Sequence, residues 1–178
     1  MRETTLCFPK NAKGQWLLGR KKRGFGVNKV NGFGGKCEAG ETFRDCIRRE
    51  LMEEAGLLAE KEAFKELGLF DFRFPYKPEL HHIGYIYTVE EYLGLPMETE
   101  EMQPAWYDSD AIPYDQMWSG DRKWVPQVLS GTCVEGVVTF GADNDSVADV
   151  KVRTVDKVFR TDKGQEAVDY LAKIFGKR

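Results

Sequence analysis

Apolar positions along the chain follow two different periods, and these divide it into strands and helices. Residues 3–8 read as a strand, closed by Pro9 and the turn-like run Lys10–Gly14. Gln15–Gly19 reads as a second short strand, so the spacing predicts a hairpin at the N-terminus. Leu67–Phe74 alternates and is rich in aromatic residues. Pro75 and Pro78 interrupt it, and residues 81–90, HHIGYIYTVE, form the next strand. Ala105–Asp108 is one more short strand, and Val134–Phe140 with Val147–Thr154 resembles a hairpin. The helical period appears where Phe43, Ile47 and Leu51 recur at i, i+4 and i+8. Thr42 can cap that helix at its start, and Gly56 stands just past its end at Ala55. Trp124–Leu129 predicts a short helix. In the tail, Ala167, Leu171, Ile174 and Phe175 share one face of a C-terminal helix over about residues 162–176. With no repeat, low-complexity stretch or boundary, the pattern predicts one mixed α/β domain over residues 1–178.

Between the second strand and the first helix lies KKRGFGVNKVNGFGGKCEAGE, with glycines recurring from Gly24 to Gly40. Flexible linkers do not interleave Phe, Val and Asn in this way. A loop whose backbone approaches a ligand closely fits the composition better.

Composition narrows the class. The chain has 178 residues, 42% hydrophobic and 31% charged, as in a globular protein. No stretch nears the roughly eighteen apolar residues of a membrane span, and MRETTLCFPK lacks the apolar core of a signal peptide, so the expected address is cytoplasmic. A net charge of −3, from 26 basic and 29 acidic side chains, argues against binding long nucleic acid through its phosphates. A small phosphorylated ligand stays open, since a metal ion can supply the positive charge. Cys7, Cys37, Cys46 and Cys133 show no C-x-x-C spacing and read as reduced, small apolar groups.

The chemistry gathers on the first helix. At 100° per residue, Glu50, Glu53 and Glu54 fall within an arc of roughly 100°. Like charges at this spacing destabilise a helix, so the cluster calls for a reason beyond stability. A solvated acidic face would be one reading. The glycine loop feeding the helix, Arg49 within the cluster and the apolar stripe on the other flank favour another: carboxylate oxygens offered to Mg²⁺.

Gly35, Glu41, Arg49, Glu50, Leu51, Glu53, Glu54, Gly56 and Leu57 fill all nine fixed positions of the pattern G-x5-E-x7-R-E-U-x-E-E-x-G-U, U being bulky and apolar. On these residues, 35–57, the chain resembles the Nudix hydrolase family. The resemblance implies a mixed, curved β-sheet sandwiched between helices. It also implies hydrolysis of a nucleoside diphosphate-linked substrate with Mg²⁺, or alternatively Mn²⁺. The implied metal ligands are Glu50, Glu53, Glu54, the Gly34 carbonyl and a downstream loop glutamate, Glu101. Glu53 is the favoured general base or water activator, although another box glutamate or Glu101 could serve. Arg49 would orient a glutamate, and Glu41 would tie loop to helix.

Further segments, LLGRKKRGFG, NGFGGK, KPEL, EEMQPAWY and IPYDQMW, resemble the MutT-homologue branch of that family, which hydrolyses oxidised purine nucleoside triphosphates to the monophosphate and pyrophosphate. By that resemblance Asn31 and Asp121 contact the base, the base stacks on Trp118, Phe25 and Phe72 wall the pocket, and Lys21 and Thr5 sit at its edge. The branch carries two adjacent aspartates where this chain has Gly120 and Asp121, which implies weaker handling of oxidised adenine. His81 stands where the branch has methionine, implying a more polar wall. The C-terminal helix extends past the family's end, with packing or dimerisation as its candidate roles, and a monomer handling a small nucleotide is expected, with a dimer as the alternative. Other readings are an ADP-ribose, dinucleoside polyphosphate or cap-like hydrolase, and a non-catalytic binding module. The Asn31, Trp118 and Asp121 pattern disfavours the first, and the intact set of box glutamates disfavours the second.

Overall fold

A computed structural model describes residues 2–178; Met1 lies outside the described residues. The strands are β1 (Arg2–Pro9), β2 (Trp16–Lys21), β3 (Val30–Asn31), β4 (Lys65–Arg73), β5 (His82–Val89), β6 (Met102–Tyr107), β7 (Val134–Phe140) and β8 (Val147–Thr154). The helices are α1 (Phe43–Ala55), α2 (Val125–Leu129) and α3 (Gly164–Phe175). Five strands form a mixed sheet in the order β1-β5-β4-β7-β8, and β3-β2-β6 form a smaller antiparallel one. The mixed α/β architecture is the expected one. No helix among the described residues is long and apolar enough to cross a membrane.

The expected N-terminal hairpin does not form. Among the described residues a single bridge, from Lys10 just past β1 to Trp16, links β1 to β2, and β1 instead runs parallel to β5. The reason lies in the other edge of β1. The Thr5 and Cys7 amides donate to the Gly35 and Phe33 carbonyls, and the Cys37 amide donates to the Glu3 carbonyl. The glycine-rich segment thus occupies the edge a hairpin would need, and β2 pairs with β3 and β6 instead. The later hairpin, β7 with β8, is present as read.

Strand alternation gives the large sheet two apolar faces. Leu69, Ile83, Tyr85, Tyr87 and Val89 meet Phe43, Ile47, Leu51 and Ala55 of α1 together with Ala167, Val168 and Leu171 of α3. Phe70, Ile86, Val134, Val138 and Phe140 meet Trp124, Val125 and Val128 at α2. The sheet is therefore covered by helices on both sides. The buried face of α3 includes Val168, while Ile174 and Phe175 are only partly covered.

The C-terminal elements are tied down by a carboxylate wholly removed from solvent. Glu135 of β7 accepts from the Arg153 guanidinium at 2.8 Å, the Tyr170 hydroxyl at 2.9 Å and the Phe159 amide at 2.8 Å. Buried donors left without an acceptor cost about 1–3 kcal/mol each. Glu135→Ala is expected to lower stability by about 2–3 kcal/mol, a fall in Tm of roughly 4–12 °C for a chain of this size. Thermal melts of the two proteins check this; an unchanged Tm would mean the network contributes nothing.

Candidate active site

The helix α1 begins with a reciprocal cap. The Thr42 hydroxyl accepts from the Asp45 amide, and the Asp45 carboxylate accepts from the Thr42 amide. It ends at Gly56 in the left-handed conformation. With its apolar stripe sunk in the core, the helix presents its acidic flank to the segment paired with β1.

Arg49 organises that flank. Its guanidinium donates to both oxygens of Glu41 at 2.7 and 2.9 Å, to Glu50 at 2.9 Å, to Glu53 at 3.2 Å and to the Lys36 carbonyl at 3.1 Å. The Arg49 hydrogen bonds hold the Glu41 carboxyl below its ordinary pKa. Glu50 lies against Gly35, where any Cβ would come within 2.6 Å of its carboxylate. A side chain at that position would displace the Glu50 carboxylate. Glu54 is buried, and one of its oxygens accepts from the Gly34 amide at 2.9 Å. Burial pushes the Glu54 carboxyl up to about 8; repulsion from Glu50 and Glu101 adds to this and the Gly34 amide opposes it. Burial also raises Glu50, against the pull of Arg49. Glu53 is largely exposed, and Glu101 pairs with Arg23 at 3.0 Å.

Fit to a cation can be judged from these contacts. Among the described residues, no three acidic or other ligating side chains already converge on a point that could hold a metal. The donors are nonetheless all hard oxygens of the kind Mg²⁺ takes. Glu50, Glu54 and Glu101 repel one another across a partly desolvated space, which a divalent cation would relieve. No amide or side chain of the described residues donates to the Gly34 carbonyl, so its lone pairs are free.

A cavity of about 200 Å³ opens from this acidic edge. Its lining runs from Gly34 and Glu54 at one end to Trp118, Asp121 and Phe140 at the other. Thr5, Lys21, Phe25, Asn31 and Phe72 also face it, so every residue expected in the base pocket except His81 is gathered there. Phe25 stacks on Trp118 with ring centroids 5.1 Å apart, and the Lys29 ammonium stands 4.7 Å from the Trp118 ring. The Asn31 side-chain carbonyl accepts from the Gly32 amide at 2.8 Å, which leaves the Asn31 NH₂ group free to donate. The Thr5 hydroxyl is engaged by the Cys46 sulfur at 3.3 Å. Asp121 is buried, with one carboxylate oxygen lacking a partner. Burial pushes its carboxyl up to about 7, opposed by the backbone at Trp118 and by Lys29.

Three features differ from expectation or were missed. The pocket histidine is His82, not His81. The His81 ring turns away to accept from the Phe74 amide at 2.8 Å, and strand parity places His82, Gly84 and Ile86 on the cavity side. Lys29 lies outside the motif residues, yet it stands two residues before Asn31 and so shares its side of the chain. It pairs with Asp145 at 3.2 Å on the β7–β8 turn. Finally, Gly120 is packed over: a Cβ there would lie 3.0 Å from Val147 and 3.1 Å from Val150 of β8. Apolar side chains fill the space an aspartate would need, and nothing in the residues around Gly120 signals that.

The NUDIX domain family matches residues 1–128. The chain is 41% identical over 143 residues to the oxidized purine nucleoside triphosphate hydrolase of Danio rerio, covering 80% of this chain and 89% of that protein. It is 40% identical over 140 residues to the protein of the same name from Mus musculus, covering 79% and 87%. Among solved structures, a MutT protein from Bacillus halodurans superposes with a TM-score of 0.72 at 24% identity, covering 85% of this chain and 97% of that one; this speaks to the fold. The chain belongs to the Nudix family.

The buried Asp121 carboxyl gives a test of the pocket's electrostatics. Its pKa rises on folding from near 3.8 to about 7, so the folded protein binds more protons than the unfolded one between those values. Stability therefore falls as pH rises through that window. Asp121→Asn removes the dependence. The variant is expected to match the wild type in Tm near pH 4 and to exceed it increasingly up to pH 7, where the gain levels off. A pH-independent difference in Tm would contradict the burial of this carboxylate.

Proposed function

We propose that the protein is a pyrophosphohydrolase that converts oxidised or otherwise modified purine nucleoside triphosphates, 8-oxo-dGTP among them, to the monophosphate and pyrophosphate. One observation carries the reading: a single cavity joins Gly34 and Glu54 of the acidic edge to an aromatic end bearing Asn31, Trp118 and Asp121. A nucleotide laid along it puts its base on Trp118 and its phosphates at the glutamates. The names of the fish and mouse relatives support the same substrate class.

In this reading Glu50, Glu53, Glu54, Glu101 and the Gly34 carbonyl hold Mg²⁺, with Mn²⁺ as the alternative. The bound ion supplies electrophilic polarisation of the phosphoanhydride and neutralises its charge. Glu53, the most exposed of the box glutamates, takes the proton of the attacking water. Arg49 is a positioning residue: it sets Glu41, Glu50 and Glu53 relative to one another. Lys21, close enough to Glu54 to favour its ionised form, faces the phosphate chain. Asn31 donates its NH₂ group to the base, Asp121 meets the base's own donors, and Phe25 and Phe72 enclose it. Val147 and Val150 over Gly120 make one margin of the site apolar, which favours an oxidised guanine over an oxidised adenine. A monomeric cytoplasmic enzyme acting on free nucleotides completes the reading, in keeping with a net charge of −3.

The test is a hydrolysis screen with Mg²⁺ over normal, oxidised and methylated nucleoside triphosphates and ADP-ribose, with products separated by chromatography. 8-oxo-dGTP should yield 8-oxo-dGMP and pyrophosphate, with 2-oxo-dATP turned over more slowly. Preferred cleavage of ADP-ribose, or no turnover of any nucleotide, would sink the proposal. Glu53→Gln is expected to lower kcat by about 10²–10⁴-fold with the Tm unchanged; an active variant would move the base to another glutamate.

A further inference from the structure

His82 opens β5 opposite Phe72, and its ring stacks on the Phe72 ring at 4.7 Å with planes 21° apart. Its Nδ1 lies 2.8 Å from the Leu80 carbonyl. A carbonyl only accepts, so Nδ1 carries the proton of that hydrogen bond. In the neutral ring Nε2 is then a bare lone pair. Burial depresses the His82 pKa to about 4, so near neutral pH the ring keeps this form. The Leu80 contact is the one hydrogen bond of the His82 ring among the described residues, and Nε2 is not among the polar atoms sealed without a partner. The ring is set between Phe72 and Phe74, and the space it faces is the cavity. His81, next to it, has the opposite tautomer, because its Nδ1 accepts from the Phe74 amide.

The polar complement of the cavity's base end is therefore specific. Asn31 and Lys29 offer donors, Asp121 a carboxyl, and His82 a fixed acceptor with no proton to give. An unmodified purine presents a lone pair at N7. Oxidation at C8 to the carbonyl form moves a proton onto N7 and turns that acceptor into a donor. An acceptor-only imidazole can pair with the second and not with the first.

Building on the function proposed above, we infer that His82 is the residue that distinguishes an 8-oxopurine from the unmodified base, by accepting the N7–H through Nε2. Unmodified dGTP in the same pose sets two lone pairs against each other, which leaves both without a partner in a partly desolvated site. No bond is made or broken in this step; the residue acts on selectivity.

The experiment compares wild type with His82→Phe, which keeps a ring against Phe72 and loses the acceptor. kcat/KM is measured with Mg²⁺ for 8-oxo-dGTP, dGTP and 8-bromo-dGTP. The bromo compound carries a bulky C8 substituent but a bare N7, so it separates N7–H recognition from base orientation. Wild type should favour 8-oxo-dGTP over both others, and in His82→Phe that preference should shrink about tenfold or more, as for loss of a buried hydrogen bond to substrate. An equal fall on all three substrates, or an unchanged preference, overturns the assignment. If wild type itself shows no preference for 8-oxo-dGTP over dGTP, the proposed substrate class fails instead.

A second measurement needs no variant. The chain has only two histidines, so ¹⁵N-labelled imidazole signals can be followed in the intact protein during titration with the product 8-oxo-dGMP and with dGMP. The His82 Nε2 resonance should shift upfield with 8-oxo-dGMP and not with dGMP, while His81 serves as the internal reference. A saturating titration that leaves His82 Nε2 in place overturns the proposal even if His82→Phe does not fold.

Discussion

The pairing of β1 with the segment Phe33–Cys37 is the constraint on which the site depends. Those backbone hydrogen bonds hold a glycine-rich stretch flat against the sheet edge, with Gly34 donating to Glu54 and Gly35 receiving Glu50. Without that pairing the acidic face of α1 would look onto solvent, and its repulsions would have no structure to confine them. With it, one end of the cavity is lined by peptide groups and carboxylates whose positions the core enforces, because Phe43, Ile47 and Leu51 lock the opposite side of the helix. The same pairing denies β1 to β2 and so decides the strand order of the fold.

Charge is concentrated at this edge and only partly neutralised. Arg49 engages Glu41, Glu50 and Glu53, whereas Glu54 has a single amide and a desolvated setting. The helix carries that cost in repulsion and burial, as active sites do when a cation is to bind. A pyrophosphohydrolase needs this kind of local imbalance. A fully paired acidic network would hold no metal.

The far end of the cavity is built on different physics. Phe25, Phe72, Phe74, Phe140 and Trp118 supply flat apolar surface, and a few polar groups with fixed donor or acceptor character stand among them. Their roles are set by contacts outside the cavity: Gly32 fixes Asn31, Leu80 fixes His82, and burial holds Asp121 near its titration point. The β7–β8 hairpin closes the margin through Val147 and Val150, and Glu135 anchors that hairpin to α3. C-terminal elements thereby shape a pocket whose polar groups all lie earlier in the chain.

Local rules, acting within a few residues, settle one part of this structure. Helix α1, its Thr42 cap and Gly56 end, the later hairpin and the box carboxylates were all legible, because period, capping chemistry and fixed spacing operate within a few residues. Asn31, Trp118 and Asp121 were legible through a resemblance, and their meeting in one cavity became visible only once the sheet had formed. Strand partners were decided by tertiary structure: β1 and β2 look like a hairpin until residues 33–37 claim the edge between them. Which of two adjacent histidines faces the cavity depends on the parity of β5 against Phe72, since a one-residue shift turns every side chain to the other face. That Gly120 is closed over by valines some thirty residues later belongs to the same class of fact. Contacts distant along the chain leave no local trace, so only the folded chain could supply them.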